Sequence, residues 1–269
     1  MAIERRLFSA LGGDCELYGI GVGEQALEQG EAWIHQMHDQ LTRFSPDSEL
    51  SRFNAQAGRW VEVSPVLEAL LRACLRAYDE SDGLVNAAIL PALLAAGYTR
   101  TFTEGPTAIT ATVAVPALSE VLDVQQGRAR LRHGAQIDLG GVAKGWLADQ
   151  LVVGLGANAL VNLCGDLMAR GGGEAGDGWP VGMGVETVLL LDIGAATSGT
   201  RRRSWGEGLH HLIDPRTGRP SATDVSEASV LARTATDAEI FAKTALLLGT
   251  ARAPAYLEAH GALGWYLSP

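Results

Sequence analysis

Residues 137–149 read Ile-Asp-Leu-Gly-Gly-Val-Ala-Lys-Gly-Trp-Leu-Ala-Asp and hold the densest set of groups able to do chemistry. A short apolar strand end is expected to carry Asp138 into a turn at Gly140 and Gly141. A helix is then expected to open with Lys144 in its first turn and Asp149 about one turn further on. Glycines let the backbone come close to a ligand, and the unpaired N–H groups of a helix start favour an anion. A lysine there puts a full positive charge where a phosphate would sit. An ordinary strand-to-helix turn with a solvated lysine reads the same way, so the segment needs support from the rest of the chain.

Five other segments carry polar groups in clusters. Arg43-Phe-Ser-Pro-Asp-Ser-Glu-Leu-Ser-Arg-Phe-Asn54 offers Ser45, Ser48 and Asn54, which could bind a polar ligand or simply cap a turn. Asp82-Gly-Leu-Val-Asn86 precedes Pro91, and Leu160-Val-Asn-Leu-Cys-Gly-Asp166 reads as a buried strand ending in a Gly-Asp turn. Ala196-Thr-Ser-Gly199 runs into three arginines, Arg201, Arg202 and Arg203. His210-His-Leu-Ile-Asp-Pro-Arg-Thr-Gly218 pairs two histidines with Asp214, which could orient a ring nitrogen and so make an acid/base site.

These segments need a scaffold, and the apolar periodicity supplies one. A strand is expected over 15–22, then a helix over about 24–43 with Ala26, Trp33, Met37 and Leu41 as its buried stripe. Ser64 and Pro65 read as N-cap and first residue of a second helix, with Leu67, Leu70, Leu71, Cys74 and Tyr78 inward. A short helix is expected over 87–96 and another over 142–153. Strands are expected at 108–115, 129–131, 159–163, 180–185, 188–193, 229–232 and 263–267, and a last long helix at 237–248 ending on Gly249. Strands and helices mix without strict alternation, which argues for an α+β fold. No repeat, low-complexity tract or linker divides residues 1–269, so one domain is expected.

Composition narrows the function. A net charge of −10 argues against a nucleic-acid or anionic-membrane surface. Three scattered cysteines, with no metal-ligand spacing, suggest a reducing compartment and no zinc site. No signal-peptide core or membrane span is visible, so a cytoplasmic protein without membrane insertion is expected. Gly21-Val-Gly-Glu-Gln-Ala26 imitates a dinucleotide fingerprint. The helix after it runs into a polar turn where a second parallel strand should end in an acid, so a nicotinamide site is not expected.

In their order and spacing, FSPDSELSRFN, DGLVNAAILPALLAAGY, IDLGGVAKGWLAD, ALVNLCGD, ATSG, HHLIDPRTGRP and AEIFAKTALLLG resemble the ApbE family, the FAD:protein FMN transferases. The resemblance spans about residues 43–249. It implies a T-fold-like domain of mixed sheets and packed helices around a central flavin-nucleotide cleft. It also implies cleavage of FAD, transfer of FMN onto a threonine or serine hydroxyl of an acceptor flavoprotein, release of AMP, and a divalent cation, usually magnesium. Lys144 with Gly140 and Gly141 would then cradle phosphate, aided by the three arginines. His211 would act as base with Asp214 behind it. Ser45, Ser48, Asn54, Asp138, Asp149 and Ser198 would fall in the nucleotide-binding segments.

The chain also departs from that pattern. Leu11-Gly-Gly-Asp stands where many members carry a Met-Gly-Thr against the flavin, Val85-Asn86 replaces Phe-Asp, and Cys164 replaces a common glycine. In the last helix the metal-binding Asp/Thr pair becomes Glu239 and Lys243. A protonated ammonium has no lone pair for a metal. Two functional readings therefore stay open beside an ordinary i, i+4 helix pair. Lys243 substitutes for the metal in a transferase, or the protein binds FAD, or hydrolyses it, without transfer.

Overall fold

Ile3–Ala10 and Gly13–Ile20 form an antiparallel hairpin, β1 and β2. Leu11 and Gly12 close it at φ 55° and 81°, the left-handed pair that a two-residue hairpin turn needs. Helix α1 (Glu24–Leu41) follows. Its buried stripe is Leu27, Ile34, Met37 and Leu41. Ala26 and Trp33 are only half-buried, so the first half of the expected stripe is rotated by one position. Next come α2 (Glu49–Ala55), β3 (Val61–Glu62) and α3 (Pro65–Glu80). The hydroxyl of Ser64 accepts Leu67 N–H at 3.1 Å and caps α3 as expected. Ala77 takes the buried place expected for Tyr78.

A 3-10 turn at Ala87–Ile89 leads into α4 (Leu90–Ala95), followed by α5 (Leu118–Val121), β4 (Leu122–Gln125) and β5 (Arg128–Leu131). Then come α6 (Ala143–Leu155), β6 (Ala159–Leu163), β7 (Asp166–Arg170), β8 (Trp179–Met183) and β9 (Glu186–Leu190). The chain ends with β10 (Gly194–Gly199), β11 (Ile213–Asp214), β12 (Arg219–Pro220), β13 (Glu227–Ala232), α7 (Ala235–Leu248), α8 (Ala253–Ala259) and β14 (Gly264–Ser268).

This computed structural model describes residues 2–101, 104–184, 186–201, 204–205 and 209–269. Its chain gathers into two units. The first comprises Met1–His38, Ala143–Ser198 and Val225–Pro269. Its seven-stranded sheet runs β1-β2-β6-β7-β10-β13-β14, and its pairings β1·β2, β2·β6, β6·β7, β7·β10 and β13·β14 are antiparallel. This is the α+β arrangement expected. Helices α6 and α7 pack on each other and on this sheet. Helix α7 is buried almost all round, Glu239 included, and a charge so placed must be paired.

The second unit comprises Asp39–Val142 and Gly199–Asp224. It contains the antiparallel sheet β3-β5-β4 and the two-stranded β11-β12. Ile213 of β11 packs with Ala92, Leu93 and Ala96, against which Val113 and Val115 also lie. Residues 108–115, expected as a strand, form no regular element. Thr107 N–H and Thr110 N–H bond instead to the carbonyls of Gly97 and Ala95, both at 2.9 Å. The end of a helix thus takes the bonds that a neighbouring strand would have made. No helix among the described residues is long and apolar enough to cross a membrane.

Candidate functional site

In the first unit the chemistry gathers where α6 begins. Lys144 is its second residue, and its Nζ makes a very short contact with Asp166 Oδ2 and lies 3.2 Å from Glu239 Oε1. The other oxygen, Glu239 Oε2, accepts the N–H of Gly145 at 2.9 Å. Lys243 Nζ stands 3.9 Å from Glu239 Oε1, one turn along α7. The side chains of Asp166 and Glu239 are 3% and 2% exposed, against 18% and 15% for Lys144 and Lys243. Two buried carboxylates thus face two partly exposed ammoniums, and the four formal charges cancel. Burial of charge on this scale is tolerable only with such pairing.

Gly145 has a packing role. A Cβ there would sit 2.5 Å from the Ala235 carbonyl oxygen at the start of α7. Asp149 bridges the same two helices. Its Oδ1 accepts Ala235 N–H at 2.8 Å, and its Oδ2 accepts Thr236 N–H at 3.0 Å and the Thr236 hydroxyl at 2.5 Å. Burial raises the pKa of Asp149 despite these bonds. Ser198 lies half-buried on β10, beside Thr197, whose hydroxyl meets that of Ser229 at 2.9 Å.

In the second unit the expected strand before the Gly-Gly turn is not a ladder. Asn54 supplies the pairing instead: its Nδ2 donates to Ile137 O at 2.9 Å and its Oδ1 accepts Ile137 N–H at 2.8 Å. Asp138 accepts Gly140 N–H at 2.8 Å and meets Arg43 Nε at 2.9 Å. Arg43 lies over the rings of Phe44 and Tyr98 and donates to Tyr98 O. Ser45 accepts Asp47 N–H at 3.3 Å, and Ser48 caps α2 through Ser51 N–H at 3.0 Å. Gly141 follows Gly140 within the same turn.

The two histidines differ. His210 is buried, its Nδ1 accepts Leu212 N–H at 3.2 Å, and its Nε2 reaches Ser221 O at 3.1 Å. That pair of partners fits the neutral tautomer with hydrogen on Nε2, and burial pulls its pKa down. His211 is half-buried. Asp214 gives both carboxylate oxygens to Arg216, with Oδ2 to Nη2 at 2.7 Å. Arg201 is exposed, while Arg202 and Arg203 lie outside the described residues.

Asp166 and Arg43 carry weight that the sequence did not reveal. Both stood inside quoted motifs, but only the tertiary fold shows that each is a buried counter-ion. A charged residue at the end of an apolar strand, as in Leu-Cys-Gly-Asp, was the available signal.

A family model described as the ApbE family matches residues 12–267. The chain belongs to the ApbE family. It is similar to the FAD:protein FMN transferase of Treponema pallidum (strain Nichols), 32% identical over 268 residues that cover 87% of this chain and 74% of that protein. The protein of the same name from Haemophilus influenzae is 26% identical over 259 residues, covering 86% and 74%. Among solved structures, the apo form of the flavinyl transferase ApbE of Pseudomonas stutzeri superposes with a TM-score of 0.85 at 22% identity, covering 99% of this chain and 95% of that one. The ApbE protein of Thermotoga maritima gives 0.87 at 20%, covering 99% and 94%. At such identities the structures speak for the ApbE fold.

The magnesium implied by the resemblance does not fit this donor set. Glu239 divides its oxygens between ammonium groups and the Gly145 amide, and Asp149 is taken up by the start of α7. Lys243 brings a positive charge to the position where the resemblance implies a metal-binding threonine. Among the described residues no group of three or more His, Cys, Asp or Glu side chains could hold a metal ion.

Proposed function

We propose that this chain is an FAD:protein FMN transferase, which moves FMN from FAD onto a serine or threonine hydroxyl of an acceptor flavoprotein and releases AMP. In that reaction the hydroxyl oxygen attacks the FMN-side phosphorus, the bond to the AMP oxygen breaks, and AMP leaves as the anion. His211 takes the hydroxyl proton. Lys144 neutralises charge on the diphosphate, competing with Asp166 and Glu239 for its ammonium. Asp214, bound to Arg216, holds the turn after His211. Around that chemistry the chain's polar groups act as supports. Asn54, Ser45, Ser48 and Asp138 shape the loops of the second unit that lead to Gly140 and Gly141. In the first unit Asp149 fixes the start of α7 and Ser198 lies half-buried on β10. The Lys144 charge cluster, in a chain that matches the family from residue 12 to 267, carries the reading. The thiols of Cys15, Cys74 and Cys164 fit a reducing compartment, so we place the reaction and its acceptor in the cytoplasm.

The pairing of Lys243 with Glu239 favours a second reading, an FAD-binding protein or FAD pyrophosphatase without transfer. Incubation with FAD, with and without magnesium and an acceptor apoflavoprotein, separates the two. AMP together with an FMN-bearing acceptor peptide supports transfer. AMP without an acceptor supports hydrolysis, and no AMP leaves a binder. His211→Ala is expected to lower transfer by at least a hundredfold while FAD still binds. Unchanged AMP release would remove His211 from the mechanism.

A further inference from the structure

Cys164 is a non-glycine residue in the left-handed region, at φ 60°, a conformation that favours glycine and often marks a functional demand. Its neighbour Leu163 pairs across β6 with Cys15 of β2. Cys164 extends that ladder by one residue, its N–H bonding Asp14 O at 3.1 Å. Successive residues of a strand point to opposite faces, so a regular Cys164 would turn its sulfur away from Cys15. The left-handed backbone breaks the alternation. The two Sγ atoms lie 3.9 Å apart, and both thiols point to the carbonyl oxygen of Ala10, at 3.6 Å from Cys15 and 3.4 Å from Cys164.

The two sulfurs are unequal. Cys15 is fully buried, and its thiol is held protonated, first by its hydrogen bond with Cys164 and then by burial. Cys164 is half-buried, so a small oxidant meets it first.

We propose that Cys164 and Cys15 form an oxidative modification site for hydrogen peroxide. The Cys164 sulfur attacks a peroxide oxygen, the O–O bond breaks, and a sulfenic acid and water result. The Cys15 sulfur then attacks the Cys164 sulfur, forming the S–S bond and expelling the hydroxyl, which leaves as water with the Cys15 proton. Two thiols and one peroxide become one disulfide and two waters. The sulfurs close from 3.9 Å to about 2 Å, a movement open to the Cys164–Gly165 turn. Two residues beyond Cys164, Asp166 holds Lys144, so the turn that closes also carries a member of the charge cluster.

The test treats the full chain with hydrogen peroxide, then counts thiols after denaturation and maps peptides by mass. The reduced protein has three cysteines. Two thiols should disappear together, as a Cys15–Cys164 peptide pair that dithiothreitol restores, while Cys74, buried in α3, stays reduced. Cys15→Ser should leave a sulfenic acid at Cys164 that dimedone captures. Cys164→Gly, which suits the backbone at this position, should fold and form no cross-link. Persistence of all three thiols in excess peroxide, a bond involving Cys74, or cross-linking only between chains would overturn the proposal. Capture of a sulfenic acid at Cys15 would do the same.

Discussion

Buried polar groups are satisfied with a different emphasis in the two units, although Asp149 in the first accepts backbone N–H groups and Asp138 in the second meets Arg43. Around α6 and α7, side chain answers side chain: Lys144 and Lys243 balance Asp166 and Glu239. In the second unit, side chains mostly answer backbone. Asn54 completes the Ile137 peptide, and His210 bonds Leu212 and Ser221. A backbone partner cannot leave without local unfolding, so those side chains are architectural. Charge partners can be exchanged for another ion of the same sign. The first set is therefore where an anionic ligand can compete, and the second is what keeps its own loops in shape.

The largest effect should come from Lys144→Ala. It leaves Asp166 and Glu239 buried with one ammonium fewer, for about 3–5 kcal/mol lost in chemical denaturation and a severe loss of FAD affinity by calorimetry. Wild-type FAD affinity in a folded variant would end the phosphate role. Asn54→Ala removes both bonds to Ile137 and strands a buried peptide, for about 2–3 kcal/mol. A change below about 0.5 kcal/mol would show that water replaces the clamp and blur the contrast between the units.

Asp166→Asn keeps the shape but takes one competing carboxylate from Lys144. FAD should bind several-fold tighter, and weaker binding would mean that Asp166 serves the ligand rather than rivals it. The smallest effect concerns pH. Burial lowers the His210 pKa from its ordinary 6.5, so folding favours the neutral ring. That stability is present in full above 6.5 and is lost as pH falls through the lower folded value. Thermal melts at pH 7.5 and 5.5 should show a steeper acid loss in the wild type than in His210→Gln. Parallel losses would assign the acid sensitivity elsewhere.

Much of the scaffold was legible where local physics decides it. Ser64-Pro65 announces α3, Gly249 stops α7, and the apolar run 159–163 is β6. Several strands were not, β1, β10 and β7 among them. β1 is a sheet-edge strand with Ile3 41% and Leu7 56% exposed, so its pattern lacks an apolar face. β10 reads Gly-Ala-Ala-Thr-Ser-Gly, poor in strand formers. β7 begins with a buried aspartate whose partner, Lys144, lies outside any local window. The same limit applies to the site. Lys144, Asp138 and Asn54 stand out as residue types within motifs, but whether each is a ligand, a counter-ion or a backbone clamp depends on contacts between distant segments.

Ala235, the first residue of α7, is approached by two glycines. A Cβ at Gly194 would come within 2.3 Å of its nitrogen, just as one at Gly145 would meet its carbonyl oxygen. The helix is therefore keyed by main chain on both sides, with no freedom to roll. Glu239 and Lys243, one and two turns on, inherit a fixed heading and can vary only in identity and rotamer. A lineage can thus exchange the charge carried at position 243 by a single codon, without refitting the helix to its neighbours.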